Sequence, residues 1–329
     1  MLAEQATQLR GAALALAAYG VFATHDVLIK YLGGTYSPFQ IVFFSVLFGF
    51  PMVTLLLMRD VKEANLRPVY PIWTALRTAA SVITGGTAFY AFSVLPLAEV
   101  YAILFAAPLL ITLMAIPMLG ERVGIRRGGA VLVGLCGVLI VLQPGATALT
   151  IGHLAALVAA VFGAFGAVIM RKIGQEERSV VLILYPMMAN VLVMGALLPF
   201  VYQPMPGQDM LALAVIAGFA LVGTALLIFA YRLAPAATVA PMQYSQIIWA
   251  TVYGALFFSE GLEWATAIGS AVIIASGVYI VFREDRGGGS ATTPVLQTRS
   301  RVASPSVPRV ASFLGLWQRS PQPSHATEE

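Results

Sequence analysis

Charged side chains are scarce in this sequence. Only 10% of its 329 residues are Asp, Glu, Lys or Arg, and 59% are hydrophobic. An ordinary soluble domain carries about 25% charged residues, and a chain this apolar cannot cover a water-exposed surface. The composition therefore excludes a soluble globular protein and indicates one that is solvated by lipid.

The chain lacks the residues and motifs that define several functional classes. Its single cysteine, Cys136, rules out an intrachain disulfide, and it has three histidines. The phosphate loop G-x-x-x-x-G-K-[ST] and the catalytic patterns H-E-x-x-H and G-x-S-x-G are missing from the sequence. We therefore expect no ATP-driven pump, no enzyme, no cofactor and no bound metal. No basic patch interleaved with exposed aromatics occurs, so nucleic acid is not an expected partner.

Long apolar runs are what the chain does contain. They are about as long as the roughly 20 residues that cross a bilayer as a helix. The runs predict an all-α integral membrane protein with ten transmembrane helices. The predicted spans are 9–31, 38–58, 72–94, 98–119, 127–143, 151–172, 179–201, 210–231, 237–258 and 264–282. Residues 287–329, rich in Gly, Ser, Pro and Arg, predict a disordered tail.

The basic residues are distributed unevenly across these spans. Alternating the spans places eighteen of the nineteen Lys and Arg on the side of the N-terminus and leaves only Lys30 on the other. Loops rich in Lys and Arg face the cytoplasm. The asymmetry predicts that both termini are cytoplasmic.

The chain also repeats itself. A shift of 139 residues places Ala91–Ala98 over Ala230–Ala237 and Glu121 over Glu260, whereas a shift of 141 places Lys30 over Arg171. The repeats extend over residues 9–143 and 150–282, with five spans in each. Because five is odd, the second repeat must enter the bilayer inverted, which is typical of secondary transporters.

Three stretches carry a family resemblance. Pro117–Arg122 of the first repeat, and Ala236–Tyr244 and Phe257–Glu260 of the second, resemble the EamA family of the drug/metabolite transporter superfamily. The resemblance implies ten helices around a central cavity, a small-metabolite substrate and a bacterial inner-membrane location. His25–Gly33 is similar to the first helix of S-adenosylmethionine-type uptake carriers, with His25 where those have Asn, and riboflavin-type carriers are a comparable alternative.

Charges inside the first span are candidate functional residues, because intramembrane charge is costly. Asp26 and Lys30 are four residues apart, so they share a helix face and can pair. Tyr19 continues this stripe. The functional interpretation is a cavity wall in which Asp26 binds a proton or cation and Lys30 meets an anionic group. His25 points elsewhere on the helix and is interpreted as a packing residue, and Glu121 and Glu260 as structural residues.

Spans four and nine carry matching polar and aromatic stripes. Their members could form a site for a planar or amphipathic ligand, or pack between helices. The candidates are Tyr101, Phe105, Gln243, Tyr244, Gln246 and Trp249. Small residues every four positions predict close helix contacts along spans six and ten. These are Ala155, Ala159, Gly163 and Ala167, and Ala267, Ala271 and Ala275.

These patterns favour a secondary transporter that moves a small metabolite by alternating access, with or without a coupled proton or ion. A channel or scaffold that never alternates is an alternative, and an intramembrane enzyme is a weaker one. The sequence leaves open the substrate, the direction of transport and the oligomeric state.

Overall fold

The computed structural model describes residues 2–58, 66–121, 124–145, 148–174 and 176–286, and helices dominate these ranges. The predicted tail, 287–329, lies outside them. The first repeat forms α1 (Leu2–Gly33), α2 (Pro38–Met58), α3 (Pro71–Val94), α4 (Leu97–Leu104), α5 (Ala107–Leu119) and α6 (Ile125–Leu142). The second forms α7 (Ile151–Ile173), α8 (Ser179–Val201), α9 (Gly207–Leu233), α10 (Ala236–Val239), a 3-10 turn (Ala240–Tyr244), α11 (Ser245–Phe258) and α12 (Trp264–Arg286).

Six helical stretches in the described ranges are long and apolar enough to cross a membrane. They are Thr7–Gly33, Leu97–Leu119, Ile151–Ile173, Val180–Val201, Gly207–Leu233 and Trp264–Val281. Two shorter apolar helices, Pro38–Thr54 and Gly128–Leu142, accompany them. The remaining predicted spans, 72–94 and 237–258, are helical without meeting the same length and hydropathy requirement. The count of ten spans therefore stays a prediction.

Two of the predicted spans are broken rather than continuous. The span 98–119 divides into α4 and α5 at Phe105 and Ala106, and the span 237–258 is interrupted by the 3-10 turn. Proline lacks an N–H, and its ring clashes with the carbonyl four residues earlier. Accordingly, α4 ends at Leu104, four residues before Pro108. The 139-residue shift places Phe105 on Tyr244, the last residue of the 3-10 turn, so both repeats break at the same point.

Helix packing follows the same internal symmetry. α1 packs against α9, and their repeat counterparts α7 and α3 pack against each other in the same way. Two further pairs join a helix to its own counterpart, α2 with α8 and α6 with α12, and α4 packs against α11, the counterpart of α5. The two repeats are therefore interlocked, because most of the closely packed helix pairs join one repeat to the other.

The predicted small-residue contacts are right for one span and wrong for the other. In α7, Ala155, Ala159 and Ala167 are buried. In α12, Ala271 and Ala275 are exposed, and the close contact lies on the opposite face. There a Cβ on Gly137 of α6 would lie 2.9 Å from the carbonyl oxygen of Gly269. Counting small residues could not select the face, because α12 carries small residues on both sides.

Candidate functional site

A buried hydrogen-bonded chain links the two repeats near the middle of the molecule. His25 Nδ1 and Asp26 Oδ1, both on α1, are 2.6 Å apart. Tyr101 of α4 donates to Asp26 Oδ2, and Gln246 of α11 donates from Nε2 to the Tyr101 hydroxyl at 3.3 Å. All four side chains are at most 5% exposed. A carboxylate is costly to bury unless it is hydrogen-bonded, and these contacts stabilise Asp26.

The expected pair between Asp26 and Lys30 is wrong. Lys30 Nζ lies 2.6 Å from Glu260 Oε1 in the loop after α11. It also donates to the Leu95 carbonyl and sits 5.3 Å from the centre of the Phe258 ring. The four-residue spacing within α1 allowed a local pair, but tertiary packing gives each residue a partner from elsewhere in the chain, Glu260 for Lys30 and Tyr101 for Asp26.

Aromatic rings surround the hydrogen-bonded chain where the two broken helices meet. The Tyr101 and Phe105 ring centres are 6.0 Å apart, and Phe105 and Tyr244 form an edge contact at 5.0 Å. Since Phe105 and Tyr244 are repeat counterparts, the axis relating the repeats passes between them. The Tyr244 hydroxyl is buried without a hydrogen-bond partner.

A partly open cavity lies beside this chain, between α1, α2 and α3 of one repeat and α8 and α9 of the other. Its lining is mostly apolar and includes Met52, Phe89 and Met187. Among the described residues, the polar lining groups are His25, Ser45 and Thr224, and none of the lining side chains is charged. The Ser45 Oγ is buried without a hydrogen-bond partner among the described residues.

His25 connects the cavity to Asp26. It lines the cavity and bonds the carboxylate behind it, so its interpretation as a packing residue is incomplete. Sequence reasoning also missed Ser45, Met187 and Thr224. A small hydroxyl or a thioether in an apolar helix carries no signal in a single sequence, because such residues are equally common in lipid-facing and packed positions.

Three of the predicted site residues lie elsewhere. Tyr19 packs against Phe22, with ring centres 6.3 Å apart, in a cluster that includes residues of α9. Trp249 lies against Gly20 of α1 and next to Tyr253. Gln243 is half-buried in the 3-10 turn. None of these three belongs to the cavity lining or to the Asp26 chain as described above.

Polar contacts also tie the repeats together at the ends of the helices. Arg171 Nη2 of α7 forms an ion pair with Glu121 in the loop after α5. Tyr36 donates its hydroxyl to Asp209 Oδ2 of α9 at 2.6 Å. Donation to Asp209 raises the pKa of Tyr36 to about 12, so Tyr36 remains a hydrogen-bond donor at physiological pH.

The family model of the EamA-like transporters matches the chain twice, over residues 9–143 and 150–283. The match covers most of the chain, and it coincides with the two repeats. The protein belongs to the EamA-like transporter family, and it is a multi-pass membrane protein.

Curated relatives are named as transporters of different metabolites. The chain is 24% identical to an S-adenosylmethionine uptake transporter of Rickettsia prowazekii (strain Madrid E), covering 86% of this chain and 96% of the relative. It is 27% identical to a pseudopaline exporter, CntI, of Pseudomonas aeruginosa, covering 82% and 93%. It is also 27% identical to a riboflavin transporter of Rhizobium johnstonii, covering 74% and 79%.

A solved crystal structure shares the fold. It matches with a TM-score of 0.55 and 20% sequence identity, covering 87% of this chain and 99% of the other. The two repeats, their helix order and their packing are therefore those of a known architecture.

Proposed function

We propose that this protein is a secondary carrier that moves a small metabolite by alternating access. Its ten helices would form two inverted five-helix repeats, 9–143 and 150–282, that rock around a central site. The observation that carries the proposal is the cavity between the repeats, which adjoins a buried carboxylate, Asp26, whose hydrogen bond from Tyr101 continues to Gln246 of the second repeat. Substrate sites near the midplane between repeats are typical of secondary transporters.

The distribution of charge supports an orientation. Eighteen of the nineteen Lys and Arg fall on one side of the proposed ten-span topology, and the positive-inside rule makes that side cytoplasmic. Both termini would then lie in the cytoplasm of a bacterial cell, with the protein in the inner membrane. In this orientation the Lys30 end of the molecule is periplasmic and the Arg171 end is cytoplasmic.

The cavity chemistry supports an amphipathic substrate. An apolar wall that includes Met52, Phe89 and Met187 suits a hydrocarbon or planar group, and Ser45 and His25 offer hydrogen bonds to a polar group. The carboxylate behind His25 favours a neutral or cationic group over an anionic one. Relatives named as carriers of S-adenosylmethionine and riboflavin make both compounds first candidates.

Asp26 is the proposed coupling residue. It is buried, and its hydrogen bonds reach the cavity through His25 and the second repeat through Tyr101 and Gln246. A proton gained or lost at this carboxylate would change bonds in both repeats. Loading of the cavity would thereby be linked to the relative position of the repeats, and Asp26→Asn would uncouple transport from pH.

Uptake into liposomes tests the proposal. Purified protein is reconstituted and given labelled S-adenosylmethionine, riboflavin, amino acids and nucleosides under an imposed pH gradient. Asp26→Asn should abolish the pH dependence, and Gly49→Phe should block uptake, because a side chain on Gly49 points at Ala217 and Met187 in the cavity. Gly218→Phe is the matched control, since a side chain there meets open space.

Saturable uptake that Gly49→Phe removes and Gly218→Phe retains would support the carrier and its cavity. Normal pH dependence in Asp26→Asn would exclude Asp26 as the coupling residue. Gradient-independent single-channel conductance in a planar bilayer would contradict alternating access altogether.

A further inference from the structure

Local structure places a glutamate at equivalent points of the two repeats. The residue that follows α5, Gly120, has φ 71°, and its counterpart after α11, Ser259, has φ 55°. In each case the next N–H bonds back six residues, Glu121 to Ala115 and Glu260 to Gly254. This is the Schellman helix end, and it points both glutamates toward the first helix of the other repeat.

Each glutamate there meets a basic residue that is also a repeat counterpart. Glu260 pairs with Lys30 near the end of α1, and Glu121 pairs with Arg171 near the end of α7. The shift of 141 residues relates Lys30 to Arg171. Both pairs therefore join one repeat to the other, and the proposed topology puts them at opposite faces of the membrane.

A second tie obeys the same symmetry. The Tyr36 hydroxyl donates to Asp209 at the Lys30 end, and the Tyr70 N–H donates to Glu177 Oε2 at 2.9 Å at the Arg171 end. The repeat shifts place Glu177 on Tyr36 and Asp209 on Tyr70. The same two repeat positions are therefore hydrogen-bonded at both ends of the molecule. The position that is tyrosine in one repeat is acidic in the other.

We propose that the two ion pairs are gates that break in alternation: the Lys30 gate (Lys30 and Glu260) and the Arg171 gate (Arg171 and Glu121). The inference rests on the proposed alternating access. Opening the cavity at one face requires the repeats to separate there, which breaks the pair at that face and leaves the other pair closed.

The two gates differ in strength. Glu260 Oε2 also accepts the N–H of Leu97 at the start of α4, and Lys30 has the Leu95 carbonyl as a further acceptor. At the other end, Nε and Nη1 of Arg171 are buried without a hydrogen-bond partner. Buried donors without partners destabilise the closed state. The Arg171 gate therefore opens more readily, and the resting protein opens mainly at the Arg171 face.

The rate at which a single cysteine in the cavity is labelled reports which face of the protein is open. Cys136 is the only cysteine and is exposed, so Cys136→Ala gives a silent background in which Ser45→Cys places the reporter in the cavity. A membrane-impermeant maleimide is applied to right-side-out spheroplasts and to inverted vesicles. The labelling rate from each face is then measured with Lys30→Ala, with Arg171→Ala, and with Arg126→Ala as an exposed-charge control.

We expect Lys30→Ala to raise labelling from the Lys30 face about tenfold and to lower it from the other face, since the population follows the difference in stability of the two states. Arg171→Ala should raise labelling from the Arg171 face and lower it from the Lys30 face. We expect a change of only about threefold, because the Arg171 gate is already the weaker one. Exchanging the charges, with Lys30→Glu and Glu260→Lys together, should return labelling to near the reference value. If Lys30→Ala does not fold, Glu260→Gln replaces it.

Equal changes from both faces, or effects no larger than those of Arg126→Ala, would overturn the gates. Labelling needs no substrate, so this result is independent of uptake. Alternating labelling in a protein that transports nothing in the liposome panel would keep the gates and contradict the carrier assignment instead.

Discussion

The Lys30 end and the Arg171 end of the molecule are built from the same positions of two repeats, yet they are bonded differently. At the Lys30 end, the ammonium and the carboxylate each have additional hydrogen-bond partners. At the Arg171 end, one guanidinium nitrogen meets Glu121 and two others are buried without partners. Repetition of a sequence therefore preserves the position of an ion pair without preserving its stability.

The helix breaks provide a second comparison. Phe105 and Tyr244 occupy the same position in the two repeats and touch across the axis. The first has no polar atom in its side chain, whereas the second buries a hydroxyl without a partner. In both comparisons one repeat carries a buried polar group without a hydrogen-bond partner, and the counterpart in the other repeat does not. Substitutions at these positions therefore test the difference between the repeats.

The largest expected effect is at Glu260. Glu260→Ala removes the partner of Lys30 and the acceptor of the Leu97 N–H, and it leaves a largely buried ammonium uncompensated. We expect a loss of about 3 kcal/mol in the free energy of unfolding, measured by thermal unfolding in detergent. Glu121→Ala is the matched variant and should cost less. Equal losses would contradict the difference between the two ends.

Arg171→Lys should make the Arg171 end resemble the Lys30 end. The ammonium can still pair with Glu121, and the two buried donors without partners disappear. We expect a gain of about 1 to 2 kcal/mol in unfolding free energy, and Lys30→Arg should be destabilising for the converse reason. A loss of stability in Arg171→Lys would mean that the guanidinium makes contacts that an ammonium cannot replace.

Tyr244→Phe should make the second helix break resemble the first. Removing a buried hydroxyl that has no hydrogen-bond partner should raise the unfolding free energy by about 1 kcal/mol. Phe105→Tyr, which adds a hydroxyl at the counterpart position, should lower it. If Tyr244→Phe instead abolishes uptake while the protein stays folded, then the hydroxyl binds substrate rather than being a packing defect.

The smallest effect is expected at the helix ends. Ser259 adopts a left-handed conformation with φ 55°, which glycine adopts at less cost, and its counterpart is Gly120. Ser259→Gly should therefore stabilise the protein by about 0.5 kcal/mol, and Gly120→Ser should destabilise it by about the same amount. A destabilised Ser259→Gly would indicate that the serine side chain contributes to holding Glu260.

Much of the fold could be predicted because hydropathy and repetition are visible along one chain. The predicted helix bounds agree with the structure to within a few residues for spans such as 38–58, 151–172 and 179–201. The breaks inside spans four and nine were not predicted, because a proline bends some membrane helices and interrupts others. Which of these occurs depends on the neighbouring backbone.

The candidate site was only partly predictable. Asp26, Tyr101 and Gln246 were each selected as polar residues in apolar helices, and the structure brings the three together. The partner of Lys30 was mistaken, because a contact four residues away on one helix is readable from sequence and a contact 230 residues away is not. His25 was undervalued for the same reason: its cavity is formed mainly by other helices.

By itself, the sequence determined that the chain is solvated by lipid, that it repeats, and that it belongs to a family of transporters. The first two properties follow from composition and from spacing along the chain, and the third follows from motifs such as Pro117–Arg122 that resemble the family. The tertiary structure decided which side chains meet: Lys30 with Glu260, Asp26 with Tyr101, and Phe105 with Tyr244. Such contacts require the two repeats to interlock, and the face that a helix turns toward its neighbour is selected by packing against residues far away in the chain.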